Sequence, residues 1–485
     1  MRTTISAARL RAISTSLIAI ALLAGCGMAR DRTTAGLTLP TAYSAETAAR
    51  MAAPTAPQMA PQTATHTAAN STQQAAAPLP QEATDWQRFG NAELADLIAM
   101  AHTGAFDLAA AMARVRQAEA YARIAGAALL PQVDGSASAG RSRTDDDTAS
   151  NYGAGLSASY EVDVWGGNAA ARDAARASLA ATRYGRDTVQ LTLTAGVATT
   201  WMQTVGARER TAIARLNLDA AERVLALVDT RWRAGMATPL ERAQQRGLVA
   251  TQRQAFAARE RDVRDAQATL ALLLGRPPQD VAVHTAHLNA IASITIAPGV
   301  PADLLTRRPD VALAERELAA ADANVAAARA ALLPRLTLTA GVGVGHNQVR
   351  GLFDNPLYNL AAGLTAPVFD AGRLSGARDL ALAQREELLA DYRAAIVNAI
   401  GDVSLALNAI DSLAQQRQAQ EEALAQAREA ARLSESRYRF GAETLLTVLD
   451  AQRTLYAAQD DAVVLHLAQL QAEVALFKAA GGDWR

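Results

Sequence analysis

Ala127-Ala128-Leu129-Leu130-Pro131 and Ala330-Ala331-Leu332-Leu333-Pro334 share one spelling, 203 residues apart. An Ala-rich run of helical period leads into each, and beyond each proline the apolar period falls from about 3.6 to 2. After Pro334, Leu336, Leu338, Ala340, Val342 and Val344 alternate with Thr337, Thr339, Gly341, Gly343 and Gly345. Proline cannot continue an interior helical ladder, but it can begin a strand. A helix that turns at proline into a two-faced strand, twice, is an internal repeat. It predicts one duplicated, elongated architecture for the 485 residues in place of three ordinary domains.

Outward from those junctions the two halves run in register. The first repeat, residues 85–279, should begin its order near Asp85-Trp86. A helix is expected over about 105–130, then strands over about 132–143 and 152–164, with Thr144-Asp145-Asp146-Asp147 as a solvated turn between them. Helix resumes at Gly166-Gly167 and runs to the turn Arg231-Trp232-Arg233-Ala234-Gly235, and a second helix continues to Leu274. Residues 280–308 read as a linker. The second repeat, 309–485, has a helix over about 309–333 and strands near 335–346 and 358–368. The turn Phe369-Asp370-Ala371-Gly372 then opens a helix to about Tyr438, and beyond Gly441 a last helix runs to Ala480. Arg231, Gly235 and Leu240 recur at identical spacing as Arg437, Gly441 and Leu446.

Each long helix, at roughly 65 residues and 1.5 Å per residue, would measure on the order of 100 Å. Such a helix needs a seam. Leu382, Leu389, Ile396, Val403 and Ile410 fall seven apart, as do Leu449, Tyr456, Val463, Leu470 and Phe477. Seven is the coiled-coil period. Composition agrees: half the residues are apolar, yet aromatics make up only 4%. Much of the apolar content is alanine, which favours helix and buries little area, so thin, closely packed helices fit better than a broad core.

Residues 1–25 read as a signal peptide. Arg2, Arg9 and Arg11 form a basic start, and the apolar run from Ile13 to Leu23 is short for a membrane span. The run ends Leu23-Ala24-Gly25-Cys26, which resembles the lipobox of bacterial lipoproteins, in which the cysteine becomes the acylated first residue. Gly27 follows, where such signals resemble outer-membrane sorting when aspartate is absent. Cys26 is the single cysteine, which excludes an intrachain disulfide and a thiolate metal cluster. Residues 26–84 are rich in Ala, Thr, Pro and Gln and nearly devoid of large apolar side chains, the composition of a disordered tether.

The strands decide the environment. Each is about ten residues long, with one apolar face and one of Gly, Ser and Thr, and the sequence offers no other sheet to cover them. In lipid an open edge leaves backbone groups unpaired at several kcal/mol each, so a spanning sheet must close. Known membrane barrels begin at about eight strands. Four are too few. The barrel must therefore be shared among copies of the chain.

The second half resembles the outer membrane factors of bacterial tripartite pumps, the TolC-like and OprM/NodT-like lipoproteins. The resemblance rests on Asp303-Leu304-Leu305-Thr306-Arg307-Arg308-Pro309-Asp310-Val311, then Ala314-Glu315, Leu318, Ala320-Ala321, Asn324 and Ala330 to Pro334. It implies a mainly α protein with membrane β: a homotrimer whose long coiled-coil helices form a periplasmic α-barrel, and whose four strands per chain form a shared twelve-stranded outer-membrane β-barrel. It implies as partners a periplasmic adaptor, an inner-membrane pump and outer-membrane lipid. The stretch from Arg437-Tyr438-Arg439-Phe440-Gly441 to Leu449-Asp450-Ala451-Gln452 looks like the family's periplasmic tip. By that likeness Leu446 matches a hydrophobic gate ring, Asp450 an acidic ring, and Tyr438 a residue tying neighbouring helices in the closed state. The tip turns, marked by Arg231, Gly235, Leu240, Arg437 and Gly441, are the expected adaptor-docking points. TolC-like members carry arginine where this chain has Glu443, and a further aspartate where it has Thr447, so any salt-bridge lock must differ here. Gln244 stands where the second half has Asp450, so one acidic ring is expected.

The formal net charge of −1 offers nothing to nucleic acid. His284 and His287 lie without a nearby carboxylate cluster in the sequence, so no metal site is expected. Gly341-Val342-Gly343-Val344-Gly345 imitates a phosphate loop, but no helix follows it. No nucleophile, base and orienter set is present, so the chain reads as no enzyme, with no cofactor beyond a covalent lipid on Cys26. A passive, gated efflux duct for small molecules is the leading function. A duct for protein secretion of the type I kind is the alternative, ahead of a structural coiled-coil lipoprotein.

Overall fold

The computed structural model describes residues 35–36, 89–144, 147–294 and 301–482, and the side chains of Thr144 and Asp147 fall outside it. The signal peptide, Cys26, nearly all of the tether and the Asp85-Trp86 start also lie outside the described residues. The helices are α1 (Ala92–Gly104), α2 (Phe106–Ala127), α3 (Gly167–Arg233), α4 (Pro239–Leu273), α5 (Leu304–Arg307), α6 (Pro309–Ala330), α7 (Arg373–Arg439) and α8 (Leu445–Ala479). The strands are β1 (Gln132–Thr144), β2 (Asp147–Val162), β3 (Arg335–His346) and β4 (Pro356–Thr365). The chain divides into two compact units.

One unit takes in residues 112–185 and 310–395 and holds the sheet. The strands follow in chain order, β1-β2-β3-β4, and every neighbouring pair is antiparallel. The register places Leu156 opposite Gly135 and Val342, Val342 opposite Tyr358, and Ala340 opposite Leu360. Directly paired residues share a face, and side chains alternate along each strand. One face thus carries Val133, Leu156, Tyr160, Leu338, Val342, Leu360 and Leu364. The other carries Ser136, Ser138, Gly155, Ser157, Thr337, Thr339, Gly341 and Gly343. Leu156, Val342, Tyr358, Leu360 and Leu364 are more than half exposed in the single chain. A soluble sheet would cover such a face.

Where strand passes to helix, an aspartate caps the new helix. Asp163 accepts from the backbone N–H of Asn168 at 3.0 Å and of Ala169 at 2.8 Å. Asp370 accepts from those of Leu374 at 2.9 Å and Gly372 at 3.1 Å. Both satisfy first-turn donors that a helix cannot pair internally. Trp165 donates its indole N–H to the Pro334 carbonyl at 2.7 Å, tying the exit of β2 to the second helix-to-strand junction.

The other unit takes in, of the described residues, 89–111, 186–294, 301–309 and 396–482. Trp201, Met202, Val205, Leu270, Leu274 and Leu288 are fully buried in it. On α8 all five heptad positions, Leu449, Tyr456, Val463, Leu470 and Phe477, are buried. Of the five heptad positions on α7, only Ile396 and Val403 are buried. Glu93 holds the linker: it accepts from the Thr285 hydroxyl at 2.6 Å, the Thr285 N–H at 3.0 Å and the Trp201 indole at 3.2 Å. Burial alone would raise its pKa, but these donors with that of His284 bring it below the ordinary value. Arg308, within the motif quoted above, is buried and donates to Asp402 at 3.0 Å and to the Ala479 carbonyl at 3.2 Å.

Three boundaries differ from expectation. The α1 helix stands ahead of the expected first helix, and Asn91 caps it by accepting from the Glu93 N–H at 2.9 Å. The β2 strand starts at Asp147, not 152, because Thr148 to Asn151 pair with β1 through the backbone while lacking an apolar alternation. The β4 strand spans 356–365, so Val368 and Phe369 lie in the connection to α7.

Candidate functional site: the hairpin tip

The site belongs to the second unit, where two helical hairpins turn. In α3–α4, Gly235 takes φ +75°. Its N–H donates to the Trp232 carbonyl at 3.0 Å, and the Met236 N–H to that of Arg231 at 2.8 Å. In α7–α8, Gly441 takes φ +78°. Its N–H donates to the Tyr438 carbonyl at 3.0 Å, and the Ala442 N–H to that of Arg437 at 2.9 Å. Both are left-handed helix ends that suit glycine. A side chain added at either would meet nothing within 4 Å, so backbone conformation, not space, selects glycine within the chain.

The next helix begins at threonine in both. Thr238 forms a full capping box with Glu241, at 3.2 Å and 2.7 Å. Thr444 accepts from the Thr447 N–H at 3.5 Å, and position 447 holds threonine where a box needs glutamate. Glu443 substitutes partly, accepting from the Thr444 N–H and the Thr447 hydroxyl, both at 3.1 Å. The Thr444 bond, then the Thr447 bond, hold its carboxyl below the ordinary range. Arg437 stands 3.8 Å from Glu443.

Tyr438 joins the hairpins. It is 1% exposed within a cluster of Leu218, Val224 and Val228 on α3, Leu248 and Val249 on α4, and Leu445, Val448 and Leu449 on α8. The Arg231 guanidinium stacks on its ring at 4.6 Å from the centroid and donates to its backbone carbonyl. Burial first, then Glu241, raises the phenol pKa, with Arg231 opposing. Among the described residues, neither the Tyr438 hydroxyl nor Arg231 Nε has a hydrogen-bond partner.

Leu446 and Asp450 face away from this cluster. Leu446 is 57% exposed and Asp450 is also exposed, while Leu445, Val448 and Leu449 are buried. Among the described residues, the one cation within 4 Å of the Asp450 carboxylate is Arg453, at 3.9 Å. On α4 the matching Leu240 and Gln244 are likewise exposed. Phe440 and Met236 add exposed apolar surface at the turns themselves.

Besides the Arg231 clamp, two further contacts had no counterpart in the sequence. Arg242 stacks on Trp232 at 4.2 Å and bonds Asp229 at 2.6 Å, bracing the first turn. Farther along the helices, Asp460 of α8 accepts two bonds from Arg210 of α3, both 2.7 Å, and one from Arg259 of α4 at 3.1 Å. Only the interruption of an apolar helix by an acid hinted at the latter.

The sequence matches the family described as outer membrane efflux protein over residues 97–276 and 300–482. Pyoverdine export outer membrane protein OpmQ of Pseudomonas aeruginosa is 50% identical over 413 residues, 82% of this chain and 87% of that protein. Toluene efflux pump outer membrane protein TtgF of Pseudomonas putida is 34% identical over 412 residues, 82% of this chain and 85% of that protein. Among solved structures, the outer membrane protein VceC of Vibrio cholerae aligns with TM-score 0.78 at 26% identity, covering 83% of this chain and 99% of that one. With its paired repeats and its four-stranded sheet of one apolar face, this chain belongs to the outer membrane efflux protein family and is an outer-membrane efflux protein.

Proposed function

We propose that three copies of this chain close their sheets into one twelve-stranded barrel and serve as the passive, gated outer-membrane duct of a tripartite pump. The observation that carries this reading is the open sheet: among the described residues, β1 and β4 each pair on one side only. In a bilayer those free edges must find partners, and copies of the same chain supply them. By length and composition α7 and α8 could also cross a membrane. Against that, the apolar seam of α8 is already buried, and Asp460, Asp461 and Glu473 interrupt the helix. The sheet is the better membrane element.

In this reading Leu446 and Asp450 form stacked rings at the periplasmic aperture. Tyr438, clamped by Arg231, holds the closed arrangement. The turns at Gly235 and Gly441, with Arg231, Leu240 and Arg437, receive a periplasmic adaptor that couples the duct to an inner-membrane pump. Acylation of Cys26 anchors the chain to lipid, and neither a cofactor nor a catalytic group takes part.

For cargo, the relatives at about half identity are named for pyoverdine export. We therefore place the cargo among secreted small molecules of that kind, ahead of proteins. Expression in a Pseudomonas aeruginosa strain lacking OpmQ should restore pyoverdine to the culture medium. Pyoverdine that stays cell-bound, although the channel reaches the outer membrane, would overturn the cargo assignment.

A further inference from the structure

We propose that Arg141 and Arg143 form a binding site for the phosphorylated glycolipid of the outer leaflet. The inference rests on the barrel reading, with the helices on the periplasmic side. On the apolar face of the sheet, charge is confined to one end. Arg141 lies opposite Ser150 and Arg143 opposite Thr148, and both share the face of Val133, Leu156 and Val342. Asp134, Glu161 and Arg335 occupy the Gly/Ser/Thr face, at the end that joins the helices. Among the described residues, the only other basic group on the apolar face is His346, opposite Tyr152.

The rows of the register set the depth. Tyr160 and Tyr152 bracket the apolar part of β2, eight residues or about 27 Å of strand. Tyrosines at such positions mark the two membrane surfaces. Arg141 stands one side-chain repeat beyond the row of Tyr152, and Arg143 two, which is about 7 and 14 Å along the strand. With strands tilted by roughly 40° those distances fall to about 5 and 10 Å along the membrane normal. A headgroup layer is about 5–8 Å thick on each side, so Arg141 falls within it and Arg143 at its outer edge. The helix-joining end of the same face ends in Val162, Leu336 and Leu364, with no basic group.

The chemistry selects phosphate. Both residues are exposed, and neither has an acidic partner among the described residues. Two guanidiniums about 7 Å apart on one strand face can each engage a phosphate through paired N–H donors. His346 borders the site, its Nδ1 accepting from the Gln348 N–H at 3.0 Å and its ring packed against Gly351, where a Cβ would come within 2.7 Å. Asp145 to Asp147 follow Arg143 in the sequence after the single residue Thr144, so magnesium has to be held constant in any comparison.

The test is native mass spectrometry of the assembled full chain in detergent at fixed magnesium. Titrants are bisphosphorylated lipid A, the same lipid without phosphates, and phosphatidylglycerol. The wild type should prefer the bisphosphorylated form by at least tenfold over either. Arg141→Gln with Arg143→Gln should abolish that preference, whereas Arg335→Gln on the other face should preserve it. Arg141→Lys with Arg143→Lys keeps the charge and should still lower the preference severalfold. Equal binding of all three lipids, or a preference that survives in the glutamine variant, would overturn the proposal. Because only the three-chain species is scored, absence of that species refutes the barrel reading and not the lipid site.

Discussion

Leu446 and Asp450 sit one turn apart on the open face of α8, about 5–6 Å from each other, while their neighbours Leu445, Val448 and Leu449 build the tip core. Side chains so placed can meet their counterparts across a three-fold axis as an apolar ring and an acidic ring. The first would resist wetting, and the second would attract cations and repel anions. The wild type should therefore show low, cation-preferring conductance in planar bilayers. Leu446→Ala with Asp450→Ala should raise single-channel conductance and weaken the cation preference. Unchanged conductance and selectivity would show that these residues do not line the aperture. The spacing of this pair was legible in the sequence, because both turn and helix repeat between the halves. The Arg231 clamp on Tyr438 was not. Its partners lie 207 residues apart, and nothing local in either segment specifies the other.

At the scale of elements, the strand period and the proline junctions were readable because side-chain alternation and helix termination are local physics. The boundaries that escaped were those held by pairing or capping alone. Thr148 to Asn151 belong to β2 through the backbone ladder, and Asn91 starts α1 through one side-chain bond. Turn chemistry was readable too, and it yields a prediction. Gly235 and Gly441 have empty space before them, so Gly→Leu at either turn should lose adaptor-dependent efflux while oligomer and insertion persist. Leucine at φ near +75° also strains the turn locally. The control is therefore Gly→Asn, which tolerates that conformation and should retain more efflux. If leucine variants pump like wild type, docking lies along the helix flanks.

The Arg210–Asp460–Arg259 cluster pins α3, α4 and α8 together and gives a pH test. Burial by itself would raise the Asp460 pKa, but the Arg210 hydrogen bond, with the charges of Arg210 and Arg259, brings it below the ordinary 3.8. The folded state thus holds its proton less tightly than the unfolded state. The resulting stability is full above pH ~4 and disappears as pH falls through the depressed value. Asp460→Asn should melt lower than wild type at pH 7, with the gap narrowing below pH ~4. A gap independent of pH would mean that the pair contributes through packing alone. Both guanidiniums are partly exposed, so solvent screening keeps the charge contribution modest.

For the whole molecule, strand count is the decisive quantity. Four antiparallel strands with two free edges and one apolar face are unstable in lipid as a single copy, and twelve are enough to close. Chemical cross-linking of the detergent-extracted protein should accordingly stop at a three-chain species. The anchor is a separate matter, since acylation at Cys26 adds lipid affinity but no backbone pairing. Cys26→Ser should lose metabolic labelling by radioactive palmitate and still yield the three-chain species once in the membrane. Label that persists on the serine variant would place the acyl chain elsewhere. A folded, membrane-inserted monomer would be the more damaging result, because its edges would have found partners that this sheet does not possess.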